Sequence, residues 1–103
     1  MIHVIATITV KPCCKAKFLD IFKQNVPKVL AEEGCIRYEP TLDADSGLPV
    51  QVGPRDNAVT IVEAWESLEH LFAHLKAPHM VAYKEQTKDL TEGVSLQVLQ
   101  PAG

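Results

Sequence analysis

Three of the chain's four histidines fall within ten residues, in the run Glu63-Ala-Trp65-Glu-Ser-Leu-Glu-His70-Leu-Phe-Ala-His74-Leu-Lys-Ala-Pro78-His79. Imidazole takes and gives protons near neutral pH without much tuning, so this cluster is the first candidate for acid–base chemistry. On a helical wheel the apolar stripe of Leu68, Leu71, Phe72 and Leu75 leaves His70 nearly opposite, facing solvent. His74 then falls at the stripe's border, free to lean towards a sheet. His79 sits just past Pro78, where the chain turns and a side chain can point back into a cleft. A half-buried structural histidine remains an alternative for both His74 and His79. His70 and His74 at i, i+4 could also ligate a metal. The spacing lacks the glutamate of an H-E-x-x-H helix and any evident third ligand, so no metal is expected.

Other residue types belong to the same neighbourhood. Trp65 ends a strand of smaller residues and is either core filling or a pocket wall. Glu63 shares its strand face, and an inward carboxylate needs a partner such as Arg37, a histidine or a water. Tyr38 is either a core aromatic or a pocket wall. Gly34, Gly47, Gly53 and Gly93 assemble no phosphate loop, nucleophile elbow or dinucleotide fingerprint, so no nucleotide or flavin cofactor is expected. Cys13, Cys14 and Cys35 are an odd count without zinc or thioredoxin spacing, and are read as reduced thiols. A Cys13–Cys14 bond would be strained, because neighbouring Cα atoms lie about 3.8 Å apart, below the roughly 4.4 Å minimum usual for disulfides.

The elements that must position these residues follow from periodicity. Ile2 to Val10 alternates, with Ile2, Val4, Ala6, Ile8 and Val10 on one face. Pro12 suits a first helical turn. Phe18, Leu19, Phe22, Val26, Val29 and Leu30 then form a helical stripe, in which Pro27 predicts a kink and Gly34 a left-handed cap. Cys35–Leu42 reads as a strand with Ile36, Tyr38 and Leu42 on one face, pushed to a sheet edge by Pro40. Asp43–Asn57 is rich in turn formers and reads as an arm or a lid, with Val50-Gln51-Val52 as a short extra strand. Ala58–Glu66 is a third strand carrying Val59, Ile61, Glu63 and Trp65 on one face. Ser67 caps the next helix, a further helical stretch runs from about His79 to Leu90, and Val94–Leu99 is the last strand.

This order gives an α+β fold of the ferredoxin-like βαββαβ type, an antiparallel sheet with its helices on one face. One domain over 1–103 is expected, since 103 residues with 47% apolar content supply one core. The uncovered sheet face predicts a homodimer through sheet-face packing, a dimeric α+β barrel. Thirteen acidic against ten basic residues argue against nucleic acid. Apolar runs far shorter than about 20 residues argue against a membrane span, and a cytoplasmic protein without a processed leader is expected.

Glu63-x-Trp65, then His74 and Pro78-His79-Met80, with Glu33-Gly34-Cys35-x-x-Tyr38 at the entry to strand two, resemble the antibiotic biosynthesis monooxygenase (ABM) family. The resemblance covers nearly the whole chain, and its specificity lies in the joint order of short motifs. It implies a cofactor-independent oxidation of a quinol or phenolic aromatic by O2, without metal or flavin, in a pocket between sheet and helices. His74 and His79 would then be catalytic, as candidates for the base. Trp65, Tyr38, Glu63, Phe72 and Tyr83 would bind the small aromatic substrate. The haem-degrading branch resembles the same fold but uses an asparagine on strand one and a later helical histidine, where this chain offers Thr7, Tyr83 and Lys84. Two other readings are an isomerase of a small phosphorylated sugar-like metabolite, which would need phosphate ligands beyond Arg37 and Arg55, and a non-catalytic dimeric small-molecule-binding protein.

Overall fold

The computed structural model describes residues 1–103. Its elements are β1 (Ile2–Val10), α1 (Lys15–Leu30), β2 (Cys35–Thr41), β3 (Ala58–Trp65), α2 (Leu68–Lys76), α3 (Pro78–Thr87) and β4 (Thr91–Leu99). The strands form one antiparallel sheet in the order β2-β3-β1-β4. Each βαβ half skips one strand position and the halves interleave, the ferredoxin-like α+β arrangement read from the sequence. The alternation of β1 and β3 is realised directly. Val4, Ala6, Ile8 and Val10 are buried beneath the helices, and so are Val59, Ile61, Glu63 and Trp65. Phe18, Phe22 and Val29 of α1 close over them. The helix runs through Pro27 to Leu30.

Several expectations are corrected. Leu30 is half exposed, and Asn25 takes a buried place on α1, donating to Met80 Sδ at 3.3 Å. Pro12 lies in a turn before α1, which starts at Lys15. In β2 the pairing with β3 shifts between Cys35 and Arg37, so a bulge at Ile36 removes it from Tyr38's face and leaves it half exposed. Pro78 opens α3 at its first position, one residue ahead of the expected start at His79, after Ala77 breaks α2 with an extended conformation. Residues 42–57 contain no strand. Val50 and Val52 find no ladder partner, and the loop is held by Arg55, whose Nε and backbone N–H both donate to Asp43 Oδ2 at 2.8 and 2.9 Å. No disulfide joins Cys13, Cys14 and Cys35.

Two surfaces are left open, one apolar and one mixed. Val94, Leu96 and Val98 pair opposite Ile8, Ala6 and Val4, on the helix side of the sheet, yet all are about half exposed because the helices do not extend over β4. The opposite sheet face presents Ile5, Thr7, Thr60 and Val62, with no element of the chain above them. No helix is long and apolar enough to cross a membrane.

Candidate active site

Short helices on a sheet leave a gap where side chains from the two layers do not meet, and here that gap is a cavity of about 420 Å³. Such a volume falls at the lower end of the roughly 300–1,000 Å³ usual for small-molecule sites. Its sheet side is built by Ala6 and Ile8 of β1, Tyr38 of β2, Ile61 and Glu63 of β3, and Val94 and Leu96 of β4. Phe22, His74, Leu75, Met80, Tyr83 and Lys84 close it from the helices. The wall is mostly apolar, with a few polar groups converging on it.

His74 is 2% exposed and central to those groups. Its Nδ1 lies 2.8 Å from Glu32 Oε2, and the same oxygen lies 2.8 Å from His79 Nε2. A carboxylate only accepts, so each imidazole donates an N–H into Glu32. That assigns the His74 proton to Nδ1 and leaves Nε2 with a free lone pair in the neutral ring. Nε2 has no protein partner, and no buried side-chain nitrogen or oxygen is left unpaired, so Nε2 opens onto the cavity. Burial lowers the basicity of His74, with the Glu32 carboxylate pulling in the other direction. Trp65 packs on one side of the ring at 4.6 Å between centroids, and Tyr38 meets it edge-on at 5.4 Å.

Glu63, 6% exposed, answers the question of its partner. Arg37 is spent on Glu39 at 2.7 Å, and Glu63 Oε1 instead accepts from Trp65 Nε1 at 3.0 Å. Burial pushes this carboxyl up to about 7, the indole N–H opposes the shift, and the charge of Glu32 adds to it. Tyr38 stacks on Phe22 at 5.3 Å, and Tyr83 meets Phe22 edge-on at 5.6 Å. Burial raises the pKa of both phenols, so they remain protonated donors.

Of the residues named from sequence, His74, Tyr38, Glu63 and Tyr83 come together on the cavity. Trp65, fully buried, stands behind the wall and reaches the cavity only through His74 and Glu63. His79 faces a smaller recess of about 90 Å³ between α1 and α3, tied to the main cavity through Glu32. Phe72 is 53% exposed and outside the wall, because α2 buries its Leu71 and His74 side and turns Leu68 and Phe72 outward. The same rotation brings His70 inward. Its ring lies over Gly34, where any Cβ would fall 2.2 Å from the imidazole.

Sequence reading missed Glu32. Its only local signal is an acidic pair at a helix exit, and both partners lie more than 40 residues away. The turn that presents it depends on Gly34, at φ +81°, whose carbonyl accepts from Glu66 N–H at 2.9 Å. A side chain there meets both left-handed strain and the His70 ring. Gly34→Ala is therefore expected to destabilise the fold by about 2 kcal/mol or more. Urea denaturation checks this, and an unchanged midpoint would contradict the packing of His70 on Gly34.

A family model described as "Antibiotic biosynthesis monooxygenase" matches residues 1–86. The Escherichia coli K12 protein named "Probable quinol monooxygenase YgiN" is 42% identical over 103 residues, with 98% of each chain covered. PA3566 from Pseudomonas aeruginosa superposes with a TM-score of 0.82 at 20% identity, over 99% of this chain and 94% of that one. A "Putative antibiotic biosynthesis monooxygenase" from Nitrosomonas europaea gives 0.83 at 18% identity, with both chains fully covered. At those identities the two solved structures speak to the fold alone.

Proposed function

The chain belongs to the antibiotic biosynthesis monooxygenase family, and from that premise we propose that it oxidises a quinol or phenolic aromatic with O2, using His74 as the base. The observation that carries this reading is the orientation of His74: Nδ1–H is anchored on Glu32 while Nε2 opens onto an apolar cavity. A phenol seated against Nε2 loses its proton to the imidazole. The resulting phenolate is electron-rich enough to reduce O2 itself. For a phenol with a free ring C–H, one oxygen atom becomes the new ring carbonyl and the other leaves as water, so phenol plus O2 gives quinone plus water. The wall around the reacting groups is mostly apolar.

Glu32 acts as a positioning residue, fixing the His74 tautomer, with His79 as its second anchor. Tyr38 and Tyr83 offer phenolic donors, and Glu63 in its protonated form offers a carboxyl hydrogen to a substrate oxygen. Trp65 supports both His74 and Glu63 from behind. The relative named as a quinol monooxygenase supports the substrate class. A phosphosugar isomerase is disfavoured because Arg37 and Arg55 are paired on the surface with Glu39 and Asp43, away from the cavity. The open face at Ile5, Thr7, Thr60 and Val62 supports a homodimer through sheet packing, for which sedimentation should give twice the 11.4 kDa chain mass.

Supplying a panel of quinols and phenols under 18O2 tests the reaction. One labelled oxygen in the product and one in water supports it, and no O2 consumption with any member supports a binding protein instead. The pH profile of kcat/KM is a second check. His74 titrates below its ordinary value of about 6.5, so the rate should rise with pH on that acid side as the base becomes neutral. Glu63 loses its proton near pH 7, so its hydrogen bond to substrate should disappear as pH rises through that value. Glu63→Gln should lower the rate modestly and abolish the limb near pH 7. Persistence of that limb would remove Glu63 from the donor role.

A further inference from the structure

The cavity wall is electrically lopsided. Glu63, Tyr38 and His74 lie at the buried end, while Lys84 of α3 and Lys88 just beyond it line the outer part. These two lysines differ. Lys88 Nζ is paired with Glu85 Oε1 at 2.7 Å, whereas Lys84 makes no ion pair. Lys84 belongs to the wall and its charge reaches His74, where it opposes protonation of the imidazole. An ammonium held at the rim of an otherwise apolar hollow keeps its head in water and lays its methylenes along the wall.

Building on the phenol-oxidising reading, we propose that Lys84 selects aromatic substrates bearing an anionic substituent, a carboxylate or its equivalent, besides the hydroxyl that reacts. The apolar body of the ligand fills the space between Ile8, Ile61, Phe22 and Leu96, and its anion remains at the rim against Lys84. The chain's net charge of −3 gives such a ligand no long-range attraction, so the preference must come from this local cation. Glu63 would repel the anion when ionised, which makes the preference strongest below pH 7.

Calorimetric titration of the full chain at pH 6 with 2-naphthoate and 2-naphthamide tests this, because the two probes share one ring system and differ in charge, and neither is a phenol. The unsubstituted protein should bind the naphthoate about five- to tenfold more tightly than the amide. Lys84→Gln should erase that difference mainly by weakening the naphthoate, with a smaller effect on the amide, and Lys88→Gln should retain most of it. Equal affinities in the unsubstituted protein, or a preference that survives Lys84→Gln, overturn the selection by Lys84 and leave the cavity as an aromatic site intact. Failure of both probes to bind overturns the aromatic site itself, and this inference with it.

Discussion

Replacing His74 with alanine is expected to lower kcat/KM for the oxidised substrate by about 10²- to 10⁴-fold, the usual contribution of a positioned proton acceptor. His74 is the imidazole with a free nitrogen on the cavity, so no neighbour substitutes for it. His79 donates into Glu32 from outside the wall, Tyr38 and Tyr83 are held protonated by burial, and Glu63 is a weak, mostly protonated base below neutrality. His79→Ala should cost much less, because Glu32 keeps its bond to His74. Glu32→Gln separates positioning from basicity. The amide oxygen still accepts one N–H but no longer carries the charge that favours protonated His74, so the acid limb of the pH profile should move further down. A His74→Ala rate within a few-fold of the parent would remove His74 from the chemistry. Equal losses in His74→Ala and His79→Ala would place the base at the Glu32 cluster as a whole.

The largest effect on stability is expected at Trp65. Its side chain is fully buried at the end of β3, where it backs His74 and donates to the buried oxygen of Glu63. Trp65→Ala leaves a large cavity and should destabilise the fold by about 3–5 kcal/mol. It also removes the single hydrogen bond made by Glu63. The Glu63 carboxyl would then ionise less readily still, adding a cost that grows as pH rises past the point where it must carry charge. Trp65→Phe preserves most of the packing and deletes the indole N–H. Its loss should be smaller at pH 5 than at pH 8, as urea unfolding at the two values would show. A pH-independent difference would mean that the Trp65–Glu63 bond contributes nothing beyond shape.

The sheet was legible because a period of two survives in β1 and β3, where every second residue must meet the helices. Glu63 could be recognised as anomalous from that pattern alone, since it is a carboxylate in phase with Val59, Ile61 and Trp65. Element faces were harder to read where an element is short. With nine residues, α2 makes two and a half turns, and Leu68, Leu71, Phe72 and Leu75 define an apolar stripe of which the fold uses only Leu71, in the core, and Leu75, on the cavity wall. The helix settles with Leu71 and His74 against the sheet, which exposes Phe72 and brings His70 over Gly34. Ile36 was misplaced for a related reason, since a one-residue bulge reverses alternation without leaving a trace in composition. Glu32 was invisible because its role comes from the turn after α1 delivering it to side chains of α2 and α3. Val50 and Val52 have a strand's composition, but they pair with neither edge of the sheet, β2 or β4.

The direct test of the account is anaerobic binding of a chromogenic phenol that is neutral in solution at the working pH, followed by absorbance. If the neutral His74 ring removes the phenolic proton inside the cavity, the phenolate band should appear on binding to the unsubstituted protein. It should be missing with His74→Ala even when the phenol is bound. A bound phenol that keeps its neutral spectrum in the unsubstituted protein, or a phenolate band that survives loss of His74, would contradict that role.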